Sequence, residues 1–178
     1  MEDFNHHDPT DELLVIRCQL GSRDAWETLV RRWHPRLFRF VLKMLADEQV
    51  AEDVLQNVWL RVVRCLIQVE HPERFSAWLF SLTRKAVLDR LRAKYRHDVQ
   101  VELGELPDWN ENEQRVVVLE EVDAALSGLQ TADREAVVLY YLEGLSVNEI
   151  AEICAVPPGT IRSRLHRARQ IMRKTLDP

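Results

Sequence analysis

The stretch Leu145 to Leu176, LSVNEIAEICAVPPGTIRSRLHRARQIMRKTL, constrains the chain more than any other. Ser146, with Glu149 three residues on, predicts a helix start closed by a capping box. Val147, Ile150, Ala151 and Ile153 give that helix one apolar side. Val156 and Pro157 end it, and Pro157 or Pro158 suits the first turn of a second helix, where no N–H is needed. The second helix aligns Ile161, Leu165, Ala168 and Met172 at helical spacing. Arg162, His166, Arg169 and Arg173 form one row on its other faces, and Ser163, Arg167, Gln170 and Lys174 the next. From Gly159 to Leu176 there are six Arg or Lys and no Asp or Glu. Two short helices, a tight turn and a basic second helix make a helix-turn-helix of the form that enters a DNA major groove. Arginine pairs with guanine O6 and N7 or grips phosphates, so such rows both read and hold DNA. A merely solvated basic face is the alternative, and the capped helix and proline turn in front of it argue against that.

The net charge of −5 looks wrong for a DNA binder, but the charge is segregated. Residues 1–96 carry 16 Lys or Arg against 14 Asp or Glu, and residues 97–112 carry five acids and no base. Basic patches on an acidic chain still bind nucleic acid, and the remainder limits non-specific sticking. With 46% apolar residues in a chain of 178, one domain or two small ones can be packed. Only five glycines and little β-branched alternation favour an all-α fold. No long apolar run and no signal-like N-terminus are present, so no membrane span is expected and the protein is placed in the cytoplasm. Cys18, Cys65 and Cys154 are widely spaced and read as reduced, packed thiols. His6, His7 and Cys18 lack the spacing of a metal site, so neither metal nor cofactor is expected.

Along the chain, residues 1–10 read as a loose tail. A short helix from Asp11 ends near Gly21. A long one follows from about Asp24 to Ala46, with Trp26, Leu29, Val30, Trp33, Leu37, Phe40, Val41 and Met44 at helical period and Pro35 as a potential kink. Val50 to Gln68 is the next, with Val54, Leu55, Val58, Val62 and Leu66 inward. Glu52, Asp53, Gln56 and Asn57 form a polar patch there beside Trp59, a residue type enriched at protein-binding hot spots. After the loop Val69 to Arg74, a helix to about Arg96 turns Phe75, Trp78, Leu79, Leu82, Ala86 and Leu91 inward. It carries a second basic set of Arg84, Lys85, Arg90, Arg92, Lys94 and Arg96. Residues 97–112 form an acidic flexible linker, able to span roughly 55 Å at about 3.4 Å per residue, or about one and a half DNA turns. The C-terminal unit, 113–178, adds a helix from Glu113 to Leu129 and one from Ala132 to Leu142. Thr131 is its expected cap, and Val137, Val138 and Tyr141 its packing residues.

The order AWETLVRRWHPRLFRFVLKML, AEDVLQNVWLRVVR, FSAWLFSLTRKAVLDRLR and LSVNEIAEI…VPPGTIRSRLHRARQIMRK resembles the sigma-70 family, in its short extracytoplasmic-function (ECF) group. The resemblance spans roughly residues 11–176. It implies two helical domains, region 2 (11–96) and region 4 (113–178), and a factor that binds core RNA polymerase, directs it to promoter DNA and helps melt it. By that resemblance Glu52, Asp53, Gln56, Asn57 and Trp59 dock the polymerase. Glu70, His71, Arg74, Arg84, Lys85 and Arg92 serve the −10 element, and Thr160, Arg162, Ser163, His166 and Arg167 read the −35 element. Many members of the group are also held by an anti-sigma factor. The chain departs from the family pattern at Val50 and Asn57, where acids are common, at Ala155, where Gly is common, and at the doubled proline Pro158.

Three other readings compete. A stand-alone helix-turn-helix regulator would bind duplex DNA unaided, and the patch on the Val50–Gln68 helix and the acidic linker argue against it. An enzyme is not expected, because no glycine-rich phosphate loop, His-Glu-x-x-His or paired site carboxylates occur. A helical interaction protein without DNA would leave the basic final helix unexplained.

Overall fold

Each helix starts where the sequence supplies an oxygen for the orphan N–H groups of its first turn. In the computed structural model, which describes residues 9–101 and 117–176, Thr10 caps α1 (Asp11–Gln19) by accepting from Leu13 N at 3.3 Å. Ser22 caps α2 (Arg23–Leu45), and Asp47 caps α3 (Glu48–Cys65) by accepting from Val50 N at 2.9 Å. Helix α3 thus begins two residues before the expected Val50. Pro35 lies inside α2 without ending it. Both Pro35 and Arg31, whose carbonyl has no N–H of Pro35 to accept, are exposed, so the missing bond falls on the solvent side of the helix.

Two short 3-10 turns, Leu66–Gln68 and Pro72–Arg74, lead into α4 (Phe75–Val101). The Gln19 side chain ties the first turn to α1, donating to Leu66 O at 3.0 Å and Val69 O at 2.9 Å. The helix α4 continues through residues 97–101, the first part of the expected linker; residues 102–116 lie outside the described residues. So do residues 1–8, with His6 and His7.

The centre of this first domain is aromatic. Trp33 meets Phe75 and Phe80 edge-on, with centroids 5.7 and 5.9 Å apart, and Phe80 meets Phe40 at 5.8 Å. The buried face of α4 is wider than its expected stripe: Phe80, Thr83 and Val87 are buried, while Trp78, Leu82, Ala86 and Leu91 are half-buried. The cause is that α4 packs on two sides, against α2 and α3 and also against the helix Val147–Cys154 of the second domain.

The second domain holds α5 (Val117–Ser127), α6 (Thr131–Val137), a π-helical turn Val138–Leu142, α7 (Val147–Cys154) and α8 (Pro158–Leu176). Arg134 on α6 donates to the carbonyls of Leu126, Ser127 and Leu129 at 2.9, 2.8 and 3.3 Å, which satisfies the end of α5. Two expectations fail here. The cap position of α6 is Gln130, not Thr131, and no side chain caps it. Tyr141 is 54% exposed and Leu139 is buried in its place. Widening of the helix explains the second: Glu143 N donates to Val138 O, five residues back, so the register rotates beyond Val138. Gly144, at φ 69°, then reverses the chain.

The capping box of α7 forms as its sequence implies, with Glu149 N donating to Ser146 Oγ at 3.3 Å and Ser146 N to Glu149 Oε2 at 2.8 Å. Ala155 ends α7 in the left-handed region at φ 54°. An alanine there carries steric strain that a glycine would not. Ala155→Gly is therefore expected to stabilise the protein by about 0.5–1 kcal/mol after the extra unfolded-state entropy of glycine is subtracted. A thermal melt should show a rise of roughly 1–4 °C, and a fall would contradict this account of the turn.

The two domains pack against each other. Helix α4 lies on α7, α2 lies on α6 and the π turn, and the buried apolar residues of both halves form one continuous core. Among the described residues no helix is long and apolar enough to cross a membrane.

Candidate polymerase and nucleic-acid interfaces

Three surfaces carry the residues singled out by sequence. The first is a groove of about 600 Å³ beside α3. Gln49, Glu52, Asp53, Gln56 and Trp59 of α3 line it, along with Val30 and His34 from α2. Helical spacing places these α3 residues one turn apart on a single face, opposite the buried Val54, Leu55 and Val58. Asn57 falls outside the groove, and its Nδ2 donates back to Asp53 O at 2.9 Å. Trp59 Nε1 donates to His34 Nδ1 at 3.2 Å, which fixes the indole and requires an unprotonated Nδ1. Leu60 and Val63 extend the groove as apolar rim, 51% and 61% exposed. Carboxylates and an anchored Trp beside exposed aliphatics suit a protein partner with basic and apolar groups.

The second surface is a groove of about 410 Å³ below the Val69 to Arg74 loop. Glu70, His71 and Arg74 line it, together with Trp78 and Ser81 of α4 and Glu152 of α7. His71 Nδ1 stands 3.0 Å from Glu73 Oε1. The Glu73 carboxyl is held below its ordinary range, chiefly by a backbone N–H bond and further by His71. Trp78 tilts against Phe75 at 5.8 Å. An aromatic face, an arginine and polar groups at one groove can stack and hold an unstacked base. Helical period places Trp78 in the core, because period alone cannot tell a half-buried groove wall from a buried face. Its position one turn after a proline-containing loop is the signal that was available.

The rest of the expected −10 set is not gathered there. Lys85 and Arg92 are exposed farther along α4, and Arg92 pairs with Asp89 of its own helix at 3.2 Å. Arg84 turns to the other domain, its Nε 2.7 Å from Glu135 Oε1. Glu135, only 3% exposed at its side chain, also accepts from Cys154 Sγ at 3.4 Å. Burial, reinforced by the nearby Glu135 charge, pushes the Cys154 thiol up to about 12, so it stays a neutral donor. Burial likewise pushes Cys18 up to about 11. Among the described residues no cluster of His, Cys, Asp and Glu has the form of a metal site.

The third surface is the outer face of α8. Arg162, Ser163 and His166 are exposed and Thr160 is half-buried. Ser163 Oγ donates to Gly159 O at 3.1 Å, and His166 Nε2 lies 3.1 Å from Gln170 Nε2. Arg167 differs from its neighbours. Its Nε and Nη2 donate to the two carboxylate oxygens of Asp133 at 2.6 and 2.7 Å, a two-pronged pair with a side chain that is 0% exposed. These bonds and the Asp133 charge raise the Arg167 pKa above its ordinary value.

Family models match both halves of the chain: Sigma-70 region 2 over residues 29–97, and Sigma-70, region 4 over residues 119–172. RNA polymerase sigma factor CarQ of Myxococcus xanthus is 34% identical over 167 residues, with 90% of this chain and 94% of that protein covered. ECF RNA polymerase sigma factor SigC of Mycobacterium tuberculosis is 30% identical over 169 residues, with 93% and 90% covered. Among solved structures, that of CnrH in complex with the cytosolic domain of CnrY matches with a TM-score of 0.72 at 25% identity, covering 94% of this chain and 97% of that one. Matched in both regions, in order, and against relatives of nearly its own length, the chain belongs to the sigma-70 family of RNA polymerase sigma factors, in its ECF group, and is a transcription initiation factor.

Proposed function

We propose that the α3 groove docks core RNA polymerase, that α8 reads the −35 element as duplex, and that the Val69 to Arg74 loop with α4 reads the −10 element and holds it open. The observation that carries this reading is the α3 groove, which sets Asp53, Gln56 and Trp59 on a face separate from both basic surfaces. A regulator that binds DNA unaided has no use for such a groove. The loop groove supplies what strand opening needs, an aromatic wall and an arginine at a space of base size. The neighbour CnrH was solved in complex with the cytosolic domain of CnrY, which supports a second protein partner, an anti-sigma factor by the resemblance, for this chain as well.

Run-off transcription with purified core polymerase on a genomic library, with the starts sequenced, tests the reading. Starts sharing paired −35 and −10 elements are expected only when both proteins are present. Tight, operator-specific duplex binding by the free protein would instead mark a stand-alone regulator. The docking role has its own test in Asp53→Arg. Asp53 is exposed, and Asn57 uses only its backbone carbonyl, so helicity and melting should not change. Affinity for core polymerase should fall on the order of tenfold or more, as for a reversed charge at an interface centre. Wild-type affinity would remove Asp53 from the docking surface.

A further inference from the structure

Along the α3 groove the indole N–H of Trp59 is committed within the fold. Glu52, Asp53 and Gln56 are exposed, whereas Trp59 Nε1 donates to His34 Nδ1 at 3.2 Å, joining α3 to α2 across 25 positions of sequence. Such a bond is not obligatory, since Trp33 Nε1 meets no protein acceptor. Here the acceptor is itself held in place. The imidazole lies against Phe38, one turn on along α2, with ring centroids 6.3 Å apart and planes 13° from parallel. With Nδ1 accepting, the neutral ring carries its proton on Nε2. Phe38 thus sets the plane of His34, His34 aims a lone pair, and that lone pair sets the indole. Both His34 and Trp59 are half-buried and both line the groove, so this chain of contacts ends at its wall.

We propose that His34 is the positioning residue of the docking face, holding Trp59 in a single orientation so that the ring, and not its N–H, meets core polymerase. The inference rests on the docking role proposed for the α3 groove. An indole free to turn about its side-chain bonds would have to be ordered by the partner, and each side chain ordered on binding costs affinity. A half-buried indole N–H without an acceptor would also turn toward water or toward the partner, taking the ring with it. Bonded to His34, the ring is ordered before the partner arrives. Its polar edge is satisfied, and the exposed Leu60 and Val63 continue the surface beside it. The contact at Trp59 is therefore apolar, and charge recognition falls to Glu52 and Asp53 on the same face. In this arrangement His34 acts through Trp59.

Affinity of the full chain for purified core polymerase, read together with the indole N–H signals of the free chain by NMR, tests this role. His34→Leu fills a similar space without an acceptor and should weaken binding about three- to tenfold. His34→Asn sets an amide oxygen where Nδ1 stood and should recover most of that loss. In a Trp59→Phe background, which lacks the donor, His34→Leu should cost less than about twofold, because the two side chains act as a unit. A role in packing alone would cost the same in both backgrounds and would not be restored by asparagine. The Trp59 indole proton, identified by its absence in Trp59→Phe, should exchange slowly with solvent in the wild type and in His34→Asn, and faster in His34→Leu. The wild-type signal reads the bond without any change at position 34, should the leucine variant fail to fold: an indole proton that exchanges as fast as an exposed one overturns the proposal. Equal losses for leucine and asparagine, or wild-type affinity in the leucine variant, overturn it too. Asp53→Arg measured alongside keeps the two ideas apart. If it weakens binding and the His34 series does not, the docking face stands and His34 has no part in it. If no variant shifts the affinity, Asp53→Arg included, the docking face falls and the positioning role falls with it.

Discussion

Trp33→Ala should cost the protein about 3–5 kcal/mol, the range for removing a large buried aromatic, out of a total of roughly 5–15 kcal/mol. Trp33 is 1% exposed and ties α2 to α4, since its ring meets Phe75 at the start of α4 and Phe80 five residues later. Arg36 lies over the same ring at 4.5 Å, so truncation also unseats an arginine that pairs with Glu143. The loss therefore reaches the start of α4, next to the −10 loop, and the domain interface together. Trp33 Nε1 meets no protein acceptor, so Trp33→Phe gives up no hydrogen bond to protein and should cost much less, about 1.5 kcal/mol or below. Chemical denaturation measures both: the midpoint should fall steeply for alanine and slightly for phenylalanine, with little change in slope. Equal costs would mean that the ring edges, and not the volume they fill, set the stability.

What was legible in the sequence is what short range decides. The capping box Ser146–Glu149, the break at Pro157 and the apolar stripe of α2 are contacts within about one helical turn, and each is found where its residues imply. The all-helical, two-domain architecture follows from the same stripes. The π turn was not legible, because VVLYYL supports an ordinary helix and the rotation of Tyr141 to solvent comes from a widened turn fixed by Gly144 and the packing around it. The pairs Arg36–Glu143 and Arg84–Glu135 join residues 107 and 51 positions apart, and no local pattern distinguishes those arginines from solvated ones. Arg84 sat in a basic row and read as a DNA contact; the tertiary fold gave it an internal anion. Charge sign by segment was the one hint, since the eight acids of residues 117–154 have a single base, Arg134, among them in sequence.

Arg162→Ala and Arg167→Ala should separate two jobs on one helix. Both arginines are exposed on α8 and both read as −35 contacts by sequence. Arg167, however, spends its two-pronged geometry on Asp133, a carboxylate with no solvent of its own. Removing it leaves that charge buried without a partner, which destabilises the junction of α6 and α8. Arg167→Ala should therefore lower the melting temperature and reduce run-off transcription to a similar degree on promoters of different −35 sequence. Arg167→Lys keeps the charge but cannot span both oxygens, so it should melt early as well. Arg162→Ala should melt like the wild type and change which −35 base is preferred, by about 1–3 kcal/mol if the lost contact is bidentate to guanine. The comparison is decisive in either direction. A normally melting Arg167→Ala with altered base preference would return Arg167 to the DNA surface and make its bond to Asp133 a resting contact that promoter DNA displaces.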